Sequence, residues 1–109
     1  MAYDEALTER VRDALASRAA LTERKMFGGI AFMIGGNMAV GVIEDELMVR
    51  LDRDDAERAL AEEHVRPMDF TGRPTKGMVF VGPEAIGTDE DLGEWVDAGA
   101  GFASSLPPK

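Results

Sequence analysis

The sequence predicts an α+β fold of two layers, an antiparallel sheet with helices packed on it. Three observations carry that expectation. Apolar positions recur at helical spacing near both ends of the chain, and short alternating or apolar runs crowd its middle. Gly-Gly pairs and short charged turns join those runs, which is the connection an antiparallel meander uses. Strands come in groups rather than alternating with helices, which places helices on one face of an antiparallel sheet.

The elements follow in order. Leu7, Val11, Ala14 and Leu15, with Leu21 as a further position of the same spacing, mark a first helix, with Asp4 and Glu5 at its start, where the helix dipole favours acids. Met26 to Ile34 reads as a first strand, with Gly28-Gly29 as a bulge or a close backbone approach. Gly35-Gly36-Asn37 supplies residues that tolerate positive φ and predicts a tight hairpin loop. Met38–Ile43 is a second strand and Glu44-Asp45-Glu46 a charged turn. Leu47–Leu51 is a third strand, with Leu47, Val49 and Leu51 on one face and Met48 and Arg50 on the other.

Asp52 is placed to cap a second helix carrying Ala56, Ala59 and Leu60. The stretch from Val65 to Phe70 is extended, and Pro67 confines it to an edge. Thr71–Gly77 is a loop, with Gly72 and Gly77 as its turn residues. Met78–Val81 is the last strand. Thr88 opens a final helix, with Asp91 three residues on, and Leu92, Trp95, Val96, Phe102, Ala103 and Leu106 share one face. The expected order is α-β-β-β-α-β-β-α in one domain, 1–109.

The chain of 109 residues holds 21 acidic and 12 basic side chains, a net charge of −9. Its 45% hydrophobic content excludes a disordered chain, and its lack of cysteine excludes disulfides, thiolate metal sites and cysteine nucleophiles. The acidic balance argues against direct nucleic-acid binding. The acidic N-terminus does not read as a signal peptide, and the Met26–Ile43 stretch is too broken by glycine for a membrane helix, so a cytoplasmic protein is expected.

The charge is unevenly spread. Residues 52–64 hold six acids against two bases (−4), and residues 83–109 six against one (−5). Only 65–82 is positive, three bases against one acid (+2).

No phosphate-binding loop, G-x-S-x-G elbow or paired metal-ligating histidines occur, so no catalytic residue, metal or cofactor is expected. His64 is read as a helix-end residue that favours the dipole. Five methionines on strands are read as core filling. The candidate ligand- or partner-binding constellation is Lys25, Arg50, Asp69, Arg73 and Lys76. Its cations would converge on an anion if the 71–77 loop folded over the sheet, and otherwise serve as ion pairs to the acidic excess.

Six segments carry a joint pattern: Lys25-Met26-Phe27-Gly28-Gly29-Ile30-Ala31-Phe32, Gly36-Asn37-Met38 with Gly41, Glu46-Leu47-Met48-Val49-Arg50-Leu51, Arg66-Pro67-Met68-Asp69-Phe70-Thr71-Gly72-Arg73-Pro74-Thr75-Lys76-Gly77, Trp95-Val96, and Ser105-Leu106-Pro107-Pro108-Lys109. Together they resemble the N-terminal domain of the TfoX/Sxy family, regulators associated with natural competence. The resemblance covers essentially the whole chain. It implies a secretion-chaperone-like α-β₃-α-β₂-α order and no catalytic residues. It also implies a regulatory module that acts through protein partners, the transcription machinery among them. A homodimer is expected from the chaperone-like fold. Full-length regulators of the family carry a further C-terminal helical domain and assist the cyclic-AMP receptor protein; a stand-alone N-terminal domain is expected here. The competing expectation is a small anionic-ligand binder, or an enzyme, built on the cations.

Overall fold

Asp4 starts the first helix. Its carboxylate accepts the Leu7 N–H at 3.0 Å, satisfying one of the orphan donors of the first turn. Helix α1 then runs Glu5–Leu15 and buries Leu7, Thr8, Val11 and Leu15. The computed structural model describes residues 3–18, 21–26, 28–67 and 77–107.

Four strands follow: β1 (Leu21–Met26), β2 (Gly29–Ile34), β3 (Asn37–Ile43) and β4 (Glu46–Arg50). Helix α2 spans Arg53–Ala59, β5 Val65–Pro67 and β6 Met78–Val81. A 3₁₀ turn at Pro83–Ile86 leads into α3, Asp89–Ser105. The strands form one antiparallel sheet in the order β1-β2-β3-β4-β6-β5. This is the two-layer α+β fold the sequence predicts. The sequence of groups is also as expected: helix, meander, helix, strand pair, helix.

The meander begins one strand earlier than the sequence reading has it. Met26 does not continue into β2 through a bulge. It pairs with Gly29 across a reversal in which Gly28 has φ 77°, and Leu21–Met26 lies along the whole of β2, so Leu21 opens a strand paired to Ile34 and does not extend the first helix, which ends at Leu15. Thr22 to Lys25 are exposed, so no apolar alternation marks β1 in the sequence. The other local signals hold. Gly35 and Gly36, at φ 60° and 83°, make the β2–β3 turn. Asp52 caps α2 by accepting the Asp55 N–H at 2.8 Å, and the Thr88 hydroxyl caps α3 by accepting the Asp91 N–H at 3.1 Å. Pro67 lies on the edge strand β5.

The main core lies between sheet and helices. Phe32, Val40, Val42, Leu47, Val49, Val79 and Val81 meet Leu7, Val11, Leu15, Ile86, Leu92, Val96, Ala100 and Ala103. A register shift sets the geometry. Phe32 pairs with Val40 but Met33 with Met38, leaving Ala39 as the extra residue of a β-bulge. Ala39 and Val40 are therefore both buried in the helix-side core. Gly99 of α3 seats against that bulge: a Cβ there would lie 2.5 Å from the Ala39 carbonyl oxygen and 2.8 Å from a Val40 methyl.

With small Gly99 and Ala100 at the contact, the larger Trp95, Phe102 and Leu106 are moved to the flank and are half-buried. The opposite face of the sheet carries a second cluster. Met48, Met78 and Phe80 are buried there, with Met38 and Ile43 against them. The core-filling reading thus holds for Met48 and Met78, while Met33 and Met38 are half-buried; the Met26 side chain lies outside the described ones.

The glycines of α3 are not equivalent. Gly99→Ala should destabilise by about 1–3 kcal/mol, because the methyl meets backbone that cannot give way. Gly93 and Gly101 have nothing within 4 Å of a built Cβ. Gly93→Ala and Gly101→Ala should each stabilise, by about 0.5–1 kcal/mol. Urea unfolding followed by Trp95 fluorescence separates the two classes.

Candidate binding surface

Most cations of the described residues are engaged within the chain. Arg10 reaches Asp89 at 3.1 Å and Arg18 reaches Asp97 at 2.8 Å, two rungs that tie α1 and the turn after it to α3. Arg58 pairs with Asp55 one helical turn earlier. Arg66 lies over the Phe80 ring, 4.4 Å from its centroid, and its guanidinium also meets Glu46. These pairs are largely exposed and each contributes at most about 1 kcal/mol.

Arg12 is the most heavily engaged. It binds both oxygens of Glu23 on β1, at 2.7 and 2.8 Å, and also meets Glu9. The Arg12 hydrogen bond holds the Glu23 carboxyl below its ordinary value of 4.5, and the same bond raises the guanidinium's own affinity for its proton.

Three described cations, Arg24, Lys25 and Arg53, make no ion pair with any described residue. Arg50 has no carboxylate partner either; its guanidinium carbon stands 5.6 Å from the Phe102 ring centroid. Strand alternation puts Arg50 off the Leu47/Val49 face, yet its long side chain reaches an aromatic residue of α3.

Of the sequence-derived constellation, Lys25 and Arg50 are described, and they are not brought together. Lys25 lies on β1 and Arg50 on β4. Through the registers Lys25–Ile30, Ile30–Val42 and Val42–Leu47, the two stand three strands apart and three residues out of level. That is about 14 Å across the sheet and about 10 Å along it. Asp69, Arg73, Lys76 and the turn residue Gly72 lie outside the described residues. The Gly77 carbonyl accepts the Leu51 N–H at 2.8 Å, with Gly77 at φ 82°, so Gly77 lies beside the Arg50 end of β4.

Two further residues depart from the sequence reading. Asn37 is not a loop residue: it opens β3, is buried, and donates from Nδ2 to the Pro107 carbonyl at 3.0 Å. The buried amide needs a partner, and the chain after α3 supplies one. His64 is not at a helix end. Helix α2 stops at Ala59, and His64 stands in the following turn at φ 66°, its carbonyl accepting the Gly82 N–H at 2.7 Å. Gly29 is a close backbone approach, where a Cβ would meet the Val42 carbonyl at 2.2 Å.

Two hollows are lined by none of the sequence-derived residues. One, of about 340 Å³ between α1 and α3, is lined by Arg10, Asp13, Ala14, Asp89 and Leu92. Another, open and about 540 Å³, is lined by Tyr3, Asp4, Glu5, Glu44 and Asp45, four carboxylates that repel an anion. Among the described residues no three metal-ligating side chains gather, and no helix is long and apolar enough to cross a membrane.

The Arg12–Glu23 pair makes a pH prediction. A carboxyl whose folded value is depressed contributes stability that is present above its ordinary value and lost as pH falls through the folded one. Folding stability should therefore decline as pH drops below about 4.5, and Glu23→Gln should flatten that part of the profile. Denaturant titrations between neutral and strongly acidic pH would show it; an unchanged acid limb in Glu23→Gln would remove the pair from the account.

The family model for the TfoX N-terminal domain matches residues 13–103 of the chain. Neither the curated proteins nor the solved structures contain a significant match. The match runs from the end of α1 into α3 and covers most of the sequence, and the chain belongs to the TfoX N-terminal domain family.

Proposed function

We propose that this member of the TfoX N-terminal domain family is a non-enzymatic binding module of the cytoplasm, acting on transcription through protein partners. The observation that carries the reading is the family match over residues 13–103. The disposition of the cations agrees with it. Arg10, Arg12, Arg18, Arg58 and Arg66 are committed to carboxylates of the same chain, and Lys25 and Arg50 stand apart. The half-buried flank of α3, with Trp95 and Phe102, supplies apolar surface through which two copies associate.

Cross-linked capture from the native cells tests the module: recurrent protein partners of the transcription machinery are expected, and a chain that captures none would sink it. Sedimentation equilibrium tests the dimer, and a monomer at high micromolar concentration would remove it.

A second reading, an anion-binding site, rests on Arg50, which has no carboxylate partner among the described residues and stands on β4 next to the Leu51–Gly77 backbone bond. Thermal unfolding with millimolar phosphate, nucleotides and dicarboxylates discriminates the two, since a ligand stabilises by RT ln(1 + [L]/Kd). The binding-module reading predicts no shift. A concentration-dependent rise in Tm that Arg50→Ala abolishes would favour the anion site instead.

A further inference from the structure

We infer that the open edge strand β1 accepts an extended acidic segment of a partner protein, which adds to the sheet as a further strand. The inference rests on the protein-binding reading above and names the surface and the chemistry it would use.

Three observations carry it. The first is the edge itself. Among the described residues strand β1 pairs with β2 alone, and it stands at the end of the strand order. Its six residues leave a row of backbone donors and acceptors on the open side, and Thr22, Glu23, Arg24 and Lys25 are all exposed. The other edge is a poor alternative. Strand β5 has three described residues, and one of them, Pro67, has no N–H to donate.

The second is the charge left over on that edge. Nearly every other described arginine is spent on a carboxylate or an aromatic ring, but Arg24 and Lys25 are spent on neither. They are consecutive, so they project from opposite faces of the strand and straddle its edge. Glu23, the one acid of β1, is already neutralised by the two-pronged contact from Arg12. The edge therefore offers two uncommitted positive charges on a chain whose net charge is −9.

The third is distance from one of the two acidic segments; the other is carried by α3, which packs on β2, β3 and β4. Helix α2, the heart of the −4 segment, packs against β6. Strand β6 stands four places from β1 in the sheet. Four strand spacings are about 19 Å, more than two Debye lengths at physiological salt. An acidic strand arriving at β1 is screened from α2.

The charges also disfavour a second copy as the occupant. Antiparallel self-pairing of β1 about a two-fold axis sets one residue against itself. Centred on Glu23 or Lys25, that axis opposes like charges, which destabilises a sheet; centred on Arg24, it sets that cation against itself, and the Glu23 that would face Lys25 is already held by Arg12. An acidic strand meets Arg24 and Lys25 with favourable cross-strand pairs instead.

The test is fluorescence anisotropy with a fluorescein-labelled octapeptide of alternating valine and glutamate. Saturable binding to the whole chain is expected. It should weaken about tenfold in the Arg24→Glu, Lys25→Glu double variant, whose folding is checked by Trp95 fluorescence. It should also be lost when alternate peptide nitrogens are methylated, and fail for the lysine-for-glutamate peptide. No binding at millimolar peptide would overturn the inference and leave Arg24 and Lys25 as guards against unwanted strand addition. Equal binding of the methylated peptide would overturn it too, since charge alone would then suffice. A dimer that the double variant dissociates in sedimentation would assign the edge to a second copy and likewise overturn it. Cross-linked capture with both proteins keeps the two readings apart. If the native chain captures no partner, the module reading fails; if both capture the same partner, that reading stands and the β1 edge is excluded.

Discussion

Everything on the helix side of the sheet depends on how closely α3 can lie on β3. Close packing there needs two things at once: a strand that turns two successive residues toward the helix, and a helix residue without a side chain. The bulge at Ala39 supplies the first and Gly99 the second. Their contact lowers the seventeen-residue helix onto the centre of the sheet. Val96, Ala100 and Ala103 then reach the valines of β3 and β4 within one closed core. Glycine weakens a helix in isolation, so its presence in mid-helix is explained by tertiary contact rather than by local preference.

The electrostatics follow from that packing. With α3 seated and α1 beside it, Asp89 and Asp97 come within reach of Arg10 and Arg18. Arg12, on the outer flank of α1, comes within reach of Glu23 on β1. Exposed pairs of this kind add little stability singly. Their larger effect is on what the surface presents. A chain with a large acidic excess commits most of its described basic groups internally, and of the described cations left without a carboxylate, Arg24, Lys25 and Arg50 stand on the sheet and Arg53 opens α2. The partner chemistry of the domain is therefore written in the few cations that have no internal work.

Much of the fold was legible in the sequence because it is set by short-range rules. Asp52 and Thr88 cap helices because their side-chain oxygens reach a backbone N–H three residues on. Gly35-Gly36 turns because both residues take positive φ. Pro67 is at an edge because it has no hydrogen to donate. Strand β1 was not legible: Thr-Glu-Arg-Lys carries no apolar alternation, and only its pairing with β2 makes it a strand. His64 and Asn37 were misplaced for a related reason. Each is fixed by a hydrogen bond to a residue far along the chain, His64 through Gly82 and Asn37 through Pro107. Of the candidate site, the residue types were legible and their spacing in space was not. Lys25 and Arg50 look like parts of one cationic set until the strand order separates them.

By itself, the sequence determined the class of the fold, the family, the helix caps, the tight turn and the acidic balance of the surface. All of these depend on residue identity or on neighbours within about one helical turn. Tertiary structure alone decided the strand order, the bulge under Gly99, the pairing of Arg12 with Glu23 and the isolation of Arg24 and Lys25 on an open edge. Those depend on which distant residues meet. A charge is counted from the sequence, but whether it is spent or available is a matter of what lies within a few ångströms of it once the chain has folded.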